Sequence, residues 1–234
     1  MTRILEHIID PMRLLLTWQP VDEAAIVRTR RVVGCLEMMD GKSVFRYLKD
    51  TDDFRKAQQA GFEGYPAFRL NDPNPEHHGA IESFLRRVPP RSRDDFEKYL
   101  LQHRLPYPFT YSDMALLGYT GARLPSDGFA LVPDFTPDDA PCDFLLEVAG
   151  VRHCIKDISG LALEDAVSFD TGVENEIDSD AIAILHGGTK IGYVNRALRN
   201  TFRTWLDTRT VTASIERMNG KPERPLVYLL VNVR

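Results

Sequence analysis

Three groups of residues have types and spacings that can do chemistry. The first is acidic: Glu174, Glu176, Asp178 and Asp180 alternate along the chain. Carboxylates this dense can hold Ca²⁺ or Mg²⁺, but the ligand spacing and glycine of an EF-hand loop are missing. A structural turn is the expectation, with Asn175 and Asp178 accepting from backbone N–H groups, and no metal. The second group is basic. Arg196, Arg199 and Arg203 recur at i, i+3 and i+7, one stripe of a helix. Such a stripe is either a solvated face or a row for phosphates. The third is His77-His78 beside Asp72 and Glu76 in a proline-rich stretch. A solvated loop is expected there, because a tetrahedral site needs further clustered ligands.

Catalytic patterns are missing. The sequence contains no G-x-x-x-x-G-K-[ST], no G-x-G-x-x-G over a strand-to-helix turn, no G-x-S-x-G and no H-E-x-x-H. Gly187-Gly188 is not followed by a helix that would hold a phosphate. Phosphoryl transfer needs a metal-holding Asp, a base and a phosphate cradle together. The expectation is therefore a non-enzymatic protein with no cofactor.

The chain has 234 residues, enough for two small domains, and its 43% hydrophobic and 27% charged content is that of an ordinary globular protein. No run approaches the ~18 apolar residues of a membrane span. Met1–Ile9 carries charge but lacks a long apolar core and a small-residue cleavage site, so no signal peptide is expected. Cys35, Cys142 and Cys154 are far apart and odd in number, which points to buried free thiols in a reducing cytoplasm rather than disulfides or zinc. The net charge of −5 argues against bulk coating of nucleic acid. The charge is unevenly spread. Residues 143–180 hold 2 basic and 10 acidic side chains, and residues 181–234 hold 9 basic and 3 acidic. Either the two sets meet on a folded barrel, or the second forms a basic face for phosphates.

Val132–Pro141 contains three prolines and three aspartates in ten residues. It can continue neither a helix nor a central strand. A boundary is placed there: domain one over 1–135, a linker over 136–141 and domain two over 142–234. In the first domain, strands are read at 12–18, 31–37 and 43–48, with Asp40-Gly41 as a turn. A helix over 53–60 ends at Gly61. Further helices are read over 80–87, after Ser92 as N-cap, and over 113–118. Phe129–Pro133 closes the domain as a strand. In the second domain, strands are read at 144–148, 166–170, 181–185, 190–194, 210–218 and 226–233. Gly187-Gly188 is a two-residue hairpin turn, Asn219-Gly220 a second turn, and Asn195 caps a helix to about Leu206. Leu198, Phe202, Trp205 and Leu206 form its apolar face. The fold class is α+β, mainly β: an antiparallel meander with short helices, then a small SH3- or OB-like barrel with one helix.

The run Asn175-Glu176-Ile177-Asp178-Ser179-Asp180-Ala181-Ile182, followed by Gly192-Tyr193, resembles the HIRAN domain, with its N-x-x-D-x-x-A-I segment and G-Y/H dipeptide. HIRAN domains occur in helicase-like DNA-repair proteins, where some bind the free 3′ end of single-stranded DNA, and alone in many bacterial proteins. The resemblance implies a site. Ala149-Gly150-Val151-Arg152-His153 matches the segment that supplies an arginine and an aromatic to the terminal nucleotides. Arg152 then takes phosphate, and His153 is a weaker stacking group. Asp178 matches the acid that accepts from the 3′-hydroxyl, and Ile177 stands where the family has an aromatic. Tyr193 matches the G-Y/H aromatic, and Arg196 a phosphate-contacting lysine. Arg199, on the basic stripe, is added to the DNA-binding set.

The first domain resembles the N-terminal subdomain of HipA-type toxin kinases over roughly residues 12–135. The resemblance rests on Leu14–Trp18, Val33-Gly34-Cys35-Leu36, Phe45-Arg46-Tyr47, Phe84–Pro89, Pro108-Phe109, Leu116-Leu117-Gly118 and Ala130–Pro133, in that order. Tyr65–Leu70 departs from the family's serine- and proline-rich stretch. The kinase core that follows such a subdomain is missing. The resemblance implies an antitoxin-like accessory protein that restrains a HipA-like kinase lacking its own first subdomain, with nucleic-acid-end sensing added. The alternative is a stand-alone 3′-end binder in repair or phage defence.

Overall fold

The computed structural model describes residues 3–21, 29–124, 126–173 and 180–234. They separate into two compact units, Asp10–Phe135 and Arg3–Ile9 with Thr136–Arg234. The architecture is α+β and mainly β, and among the described residues every strand pair is antiparallel.

The first unit opens on β1 (Arg13–Trp18), β2 (Arg31–Met39) and β3 (Lys42–Tyr47). Asp40 and Gly41 both have positive φ (49° and 74°), which matches the twist of the flanking strands and makes the tight turn. Helix α1 (Asp52–Gln59) begins where Thr51 Oγ1 accepts the Phe54 N–H at 3.2 Å. After a two-residue strand β4 (His77–His78) come α2 (Ile81–Leu85), α3 (Phe96–Gln102) and α4 (Asp113–Thr120). Ser112 Oγ caps α4 through the Ala115 N–H, and Gly121 at φ 72° ends it. Strand β5 (Phe129–Pro133) returns beside β1, giving the order β4-β3-β2-β1-β5. Phe45 lies in an aromatic core, 4.8 Å from Phe68 and 5.7 Å from Phe84 between ring centroids. A Cβ at Gly34 would stand 2.7 Å from that Phe45 ring, so the close approach needs glycine.

Two local expectations are corrected here. His77-His78 is not a plain loop but pairs with β3, and the His77 ring sits 4.9 Å from Phe68. Ser92 does not cap α3; the helix starts after Asp95, without a side-chain cap bond.

The second unit contains β6 (Cys142–Glu147), α5 (Val151–Cys154), β7 (Ala166–Asp170), β8 (Ala183–His186), β9 (Thr189–Tyr193), α6 (Arg199–Thr208), β10 (Val211–Lys221) and β11 (Arg224–Val233). The sheet order is β6-β11-β10-β7-β8-β9. Its two ends meet: Ala149, just past β6, bridges Tyr193 on β9 through two bonds of 2.9 Å. The sheet thus curls into a barrel whose inward residues include Ile182, Ile184, Ile191, Ile215, Val227, Leu229 and Val231. Phe202 and Trp205 of α6 are fully buried, and the Trp205 indole N–H donates to the Pro137 carbonyl at 3.1 Å.

Gly187 and Gly188 form the hairpin turn, both at positive φ (54° and 81°). Asn219-Gly220 does not turn. Both residues are paired, opposite Leu226 and Pro225, and the chain reverses at Pro222-Glu223 between Lys221 and Arg224. Proline supplies the fixed φ that a turn's second position needs. Asn195 caps a turn that precedes α6: its Oδ1 accepts the Ala197 N–H at 3.0 Å. Arg196 therefore lies outside the helix. The segment Arg3–Ile9, read from sequence with the first domain, belongs to the second unit. The buried Asp143 carboxylate holds it, accepting the Glu6 and His7 N–H groups at 3.1 and 3.0 Å.

Candidate nucleic-acid interface

Tyr193 ends β9 at the bridge that closes the barrel. Glycine on each side of that bridge makes room for it. A Cβ at Gly192 would stand 2.3 Å from Val148 Cγ1 and 2.6 Å from the Ala149 carbonyl oxygen. Gly150, at φ 75°, turns the chain into α5, and Tyr193 Cδ2 lies 3.6 Å from where its Cβ would be. The tyrosine is thus aligned by backbone on its edge side, while its ring remains half-exposed.

Lys190 comes back over this ring, with its Nζ 5.1 Å from the ring centre. Strand β9 carries a register shift that places these two residues on one side although they are three apart. Hydrogen bonding to Tyr193 raises the Lys190 pKa and outweighs desolvation, so the ammonium stays charged. A cation held against an aromatic face is a recurring unit of single-strand binding, offering phosphate charge and a stacking surface together. Sequence reasoning did not single out Lys190; only the bulge in β9 brings it to Tyr193.

Helix α5 packs against β9 and holds Arg152 and His153 at the surface. Arg152 Nε donates to His153 Nε2 at 3.0 Å. In that contact the imidazole Nε2 accepts from the guanidinium. Cys154, the next residue, is half-buried, and burial raises its thiol pKa despite the nearby Lys190 charge. The thiol is therefore protonated and poorly suited to nucleophilic work.

The other expected residues divide differently. Arg199 does not stand on an exposed stripe: its side chain is 21% exposed and its guanidinium lies 3.6 Å from the Asp180 carboxylate. Arg203 donates to the Asp180 carbonyl at 3.2 Å. Arg196 is half-buried before the helix. On this helix Arg199 therefore faces a carboxylate, and Arg203 a backbone carbonyl, of the same acidic residue. Asp178 and Ile177, with the rest of residues 174–179, lie outside the described residues. Among the described residues, no three His, Cys, Asp or Glu side chains come together in a way that could hold a metal ion.

No helix among the described residues is long and apolar enough to cross a membrane. No family model matches the chain, and no curated protein matches it. Two solved structures are similar to it. The HIRAN domain of human HLTF is 13% identical over 38% of this chain and 75% of that one, with a TM-score of 0.28. A protein from Lactobacillus plantarum is 18% identical over 38% of this chain and 91% of that one, with a TM-score of 0.31.

Proposed function

We propose that the second unit binds single-stranded nucleic acid at the ridge formed by Tyr193, Lys190, Arg152 and His153, with a preference for a free 3′ end, and that the protein is not an enzyme. The observation that carries the proposal is the half-exposed Tyr193 ring, held by the barrel closure and topped by the Lys190 ammonium. Arg152, on the helix that packs against β9, supplies a phosphate contact. The 3′-end preference rests on the sequence resemblance, which gives Asp178 the role of accepting from the terminal hydroxyl and repelling a phosphate there.

Fluorescence anisotropy with 3′-hydroxyl and 3′-phosphate oligonucleotides tests both parts. Arg152→Ala should weaken binding by about 1–3 kcal/mol, the scale of a charge-assisted contact. Tyr193→Ala should cost about 1–3 kcal/mol through lost stacking. Equal affinity for the two oligonucleotides removes the end-reading part, and unaltered binding in both variants removes the site. Purified protein should show no ATP-dependent phosphorylation; micromolar ATP binding lost on a single substitution would reverse the non-enzymatic reading.

A second reading concerns the first unit, as the contact for a HipA-like kinase lacking its own first subdomain. It is supported by two exposed methionines at one end of the β1–β2 pair. Met12 is 66% and Met39 44% exposed; the Met38 N–H donates to the Met12 carbonyl, so Met12 shares a face with Met38 and Met39 lies on the opposite one. Co-expression with such a kinase should relieve its toxicity, and Met12→Asp with Met39→Asp should abolish the relief. Full protection by that double variant sinks this reading.

A further inference from the structure

The outer wall of the barrel continues past Tyr193. Directly opposed residues of an antiparallel pair point to one face, and alternate residues share it. Tyr193 opposes Ala149, two residues beyond Glu147, and Glu147 opposes Tyr228 on β11. Tyr228 opposes Arg217 on β10, whose guanidinium carbon lies 4.3 Å from the centre of the Tyr228 ring. The intervening Val148 and the neighbours Val227 and Leu229 are buried on the inner side, as the alternation requires. A second aromatic–cation pair thus stands on the same wall as Lys190–Tyr193. By strand spacing and rise, the two tyrosines are on the order of 10 Å apart.

Beyond Tyr228 the two longest strands continue as a ribbon. Asn219 opposes Leu226, and Lys221 opposes Arg224 beside the turn. By the same alternation, Arg217, Lys221 and Arg224 line one face of the ribbon. At the other end of this wall, Arg3 Nη1 donates to Ser214 Oγ on β10 at 3.3 Å. Three carboxylates belong to the same region: Glu147 on β6, Glu216 at the β10 bulge and Glu223 in the turn. The cations therefore follow a line along the ribbon face rather than making a uniformly positive surface.

We propose that a nucleic-acid strand held at Tyr193 continues across this wall. A second base would then stack at Tyr228–Arg217, and the phosphates beyond it would lie along Lys221 and Arg224. This inference rests on the proposed Tyr193 site and extends it from an end pocket to a track for a strand of several nucleotides. A stacking ring beside a guanidinium tolerates any base, so the track favours length over sequence. The bulge that shifts the register between Ile215 and Arg217 is what turns Arg217 outward, opposite Tyr228.

The test compares full-length protein and variants on a dinucleotide, too short to reach from Tyr193 to Tyr228, and on an oligonucleotide of about twelve nucleotides, within the range of site sizes for small barrels. Wild type should bind the longer strand at least ~5-fold more tightly. Tyr228→Ala, and separately Lys221→Ala with Arg224→Ala at the exposed tip, should remove that gain while leaving the shorter strand's affinity unchanged. Tyr193→Ala should weaken both lengths. Equal affinity for both lengths, or a length gain that survives both ribbon variants, overturns the track and leaves the Tyr193 reading standing. Binding of the longer strand that needs the ribbon but ignores Tyr193→Ala overturns the Tyr193 reading instead. Circular dichroism on Tyr228→Ala separates lost contact from lost fold, and the tip variant, being at the exposed turn, reports independently.

Discussion

Asp143 is a charge kept inside the second unit because every side of it is bonded. Its carboxylate accepts the Glu6 and His7 N–H groups, the Asn232 amide at 2.7 Å and the Arg234 guanidinium at 2.7 Å. Burial pushes its pKa up, and these hydrogen bonds from Asn232, His7, Arg234 and Glu6 together outweigh it, so the pKa lies below its ordinary value. A depressed carboxylate stabilises the fold above its unfolded pKa and loses that contribution as pH falls through the folded pKa. Asp143→Asn should therefore lower Tm at neutral pH. The gap from wild type should narrow once the pH drops below the ordinary carboxylate value of about 3.9. A gap that is constant from neutral to acid pH, followed by calorimetry, would show that the charge is not what matters. Asp143→Ala leaves the Glu6, His7 and Asn232 donors unpaired and should cost about 1–3 kcal/mol, the scale of unsatisfied buried polar groups, because the partly exposed Arg234 can turn to solvent. Nothing in the sequence marked this residue. It reads as one more acid near the proline-rich linker, and its partners come from both ends of the chain.

The elements whose chemistry is local were readable; those set by distant partners were not. Strands β5 and β7 have the bounds expected from alternation, and Gly187-Gly188 turns as two glycines should. Ser112 was not singled out, yet its hydroxyl at the start of α4 is an ordinary cap signal. Asn219-Gly220 carries an equally strong local turn signal, but cross-strand pairing with Pro225 and Leu226 overrides it. The arginine stripe failed for another reason. Helical spacing was assigned from Arg196, but α6 begins at Arg199, and Asp180 draws Arg199 and Arg203 toward it. Of the proposed site, the sequence resemblance named Arg152, His153 and Tyr193. It missed Lys190, because a bulge's position is set by pairing rather than by the residue itself. The Gly192-Tyr193 pair has a physical reason at this scale: a side chain at Gly192 collides with the Ala149 carbonyl, which accepts the Tyr193 N–H. Gly192→Ala should force the closing bridge apart, at about 1–3 kcal/mol, and weaken oligonucleotide binding with it. Gly160→Ala, where nothing stands within 4 Å, is the control. Equal thermal stability of the two variants would mean that the barrel closure tolerates a methyl group.

Across the whole molecule, charge sorts by what it touches rather than by its sum. The net charge is −5, and the nine basic residues of 181–234 suggest a strong phosphate-binding surface only while they are counted in isolation. In the folded second unit, Arg199 and Arg203 engage Asp180, and Arg234 engages Asp143. Lys190 faces Tyr193, and Arg152 is bonded to His153 at the surface. Counterion release counts only the cations that displace ions from phosphate, with a slope near 0.7 per contact on single strands. If Lys190 and Arg152 are the two that do so, the affinity of a short 3′-hydroxyl oligonucleotide should fall with salt at a log–log slope of about −1 to −2. Arg152→Ala should make that slope shallower by about 0.7, whereas Arg199→Ala should leave it unchanged. A wild-type slope of about −3 or steeper that Arg199→Ala makes shallower would mean that Arg199 exchanges the Asp180 carboxylate for phosphate on binding. In that event Arg199→Ala, rather than Arg152→Ala, would carry the larger change, and the interface would extend over α6 as well.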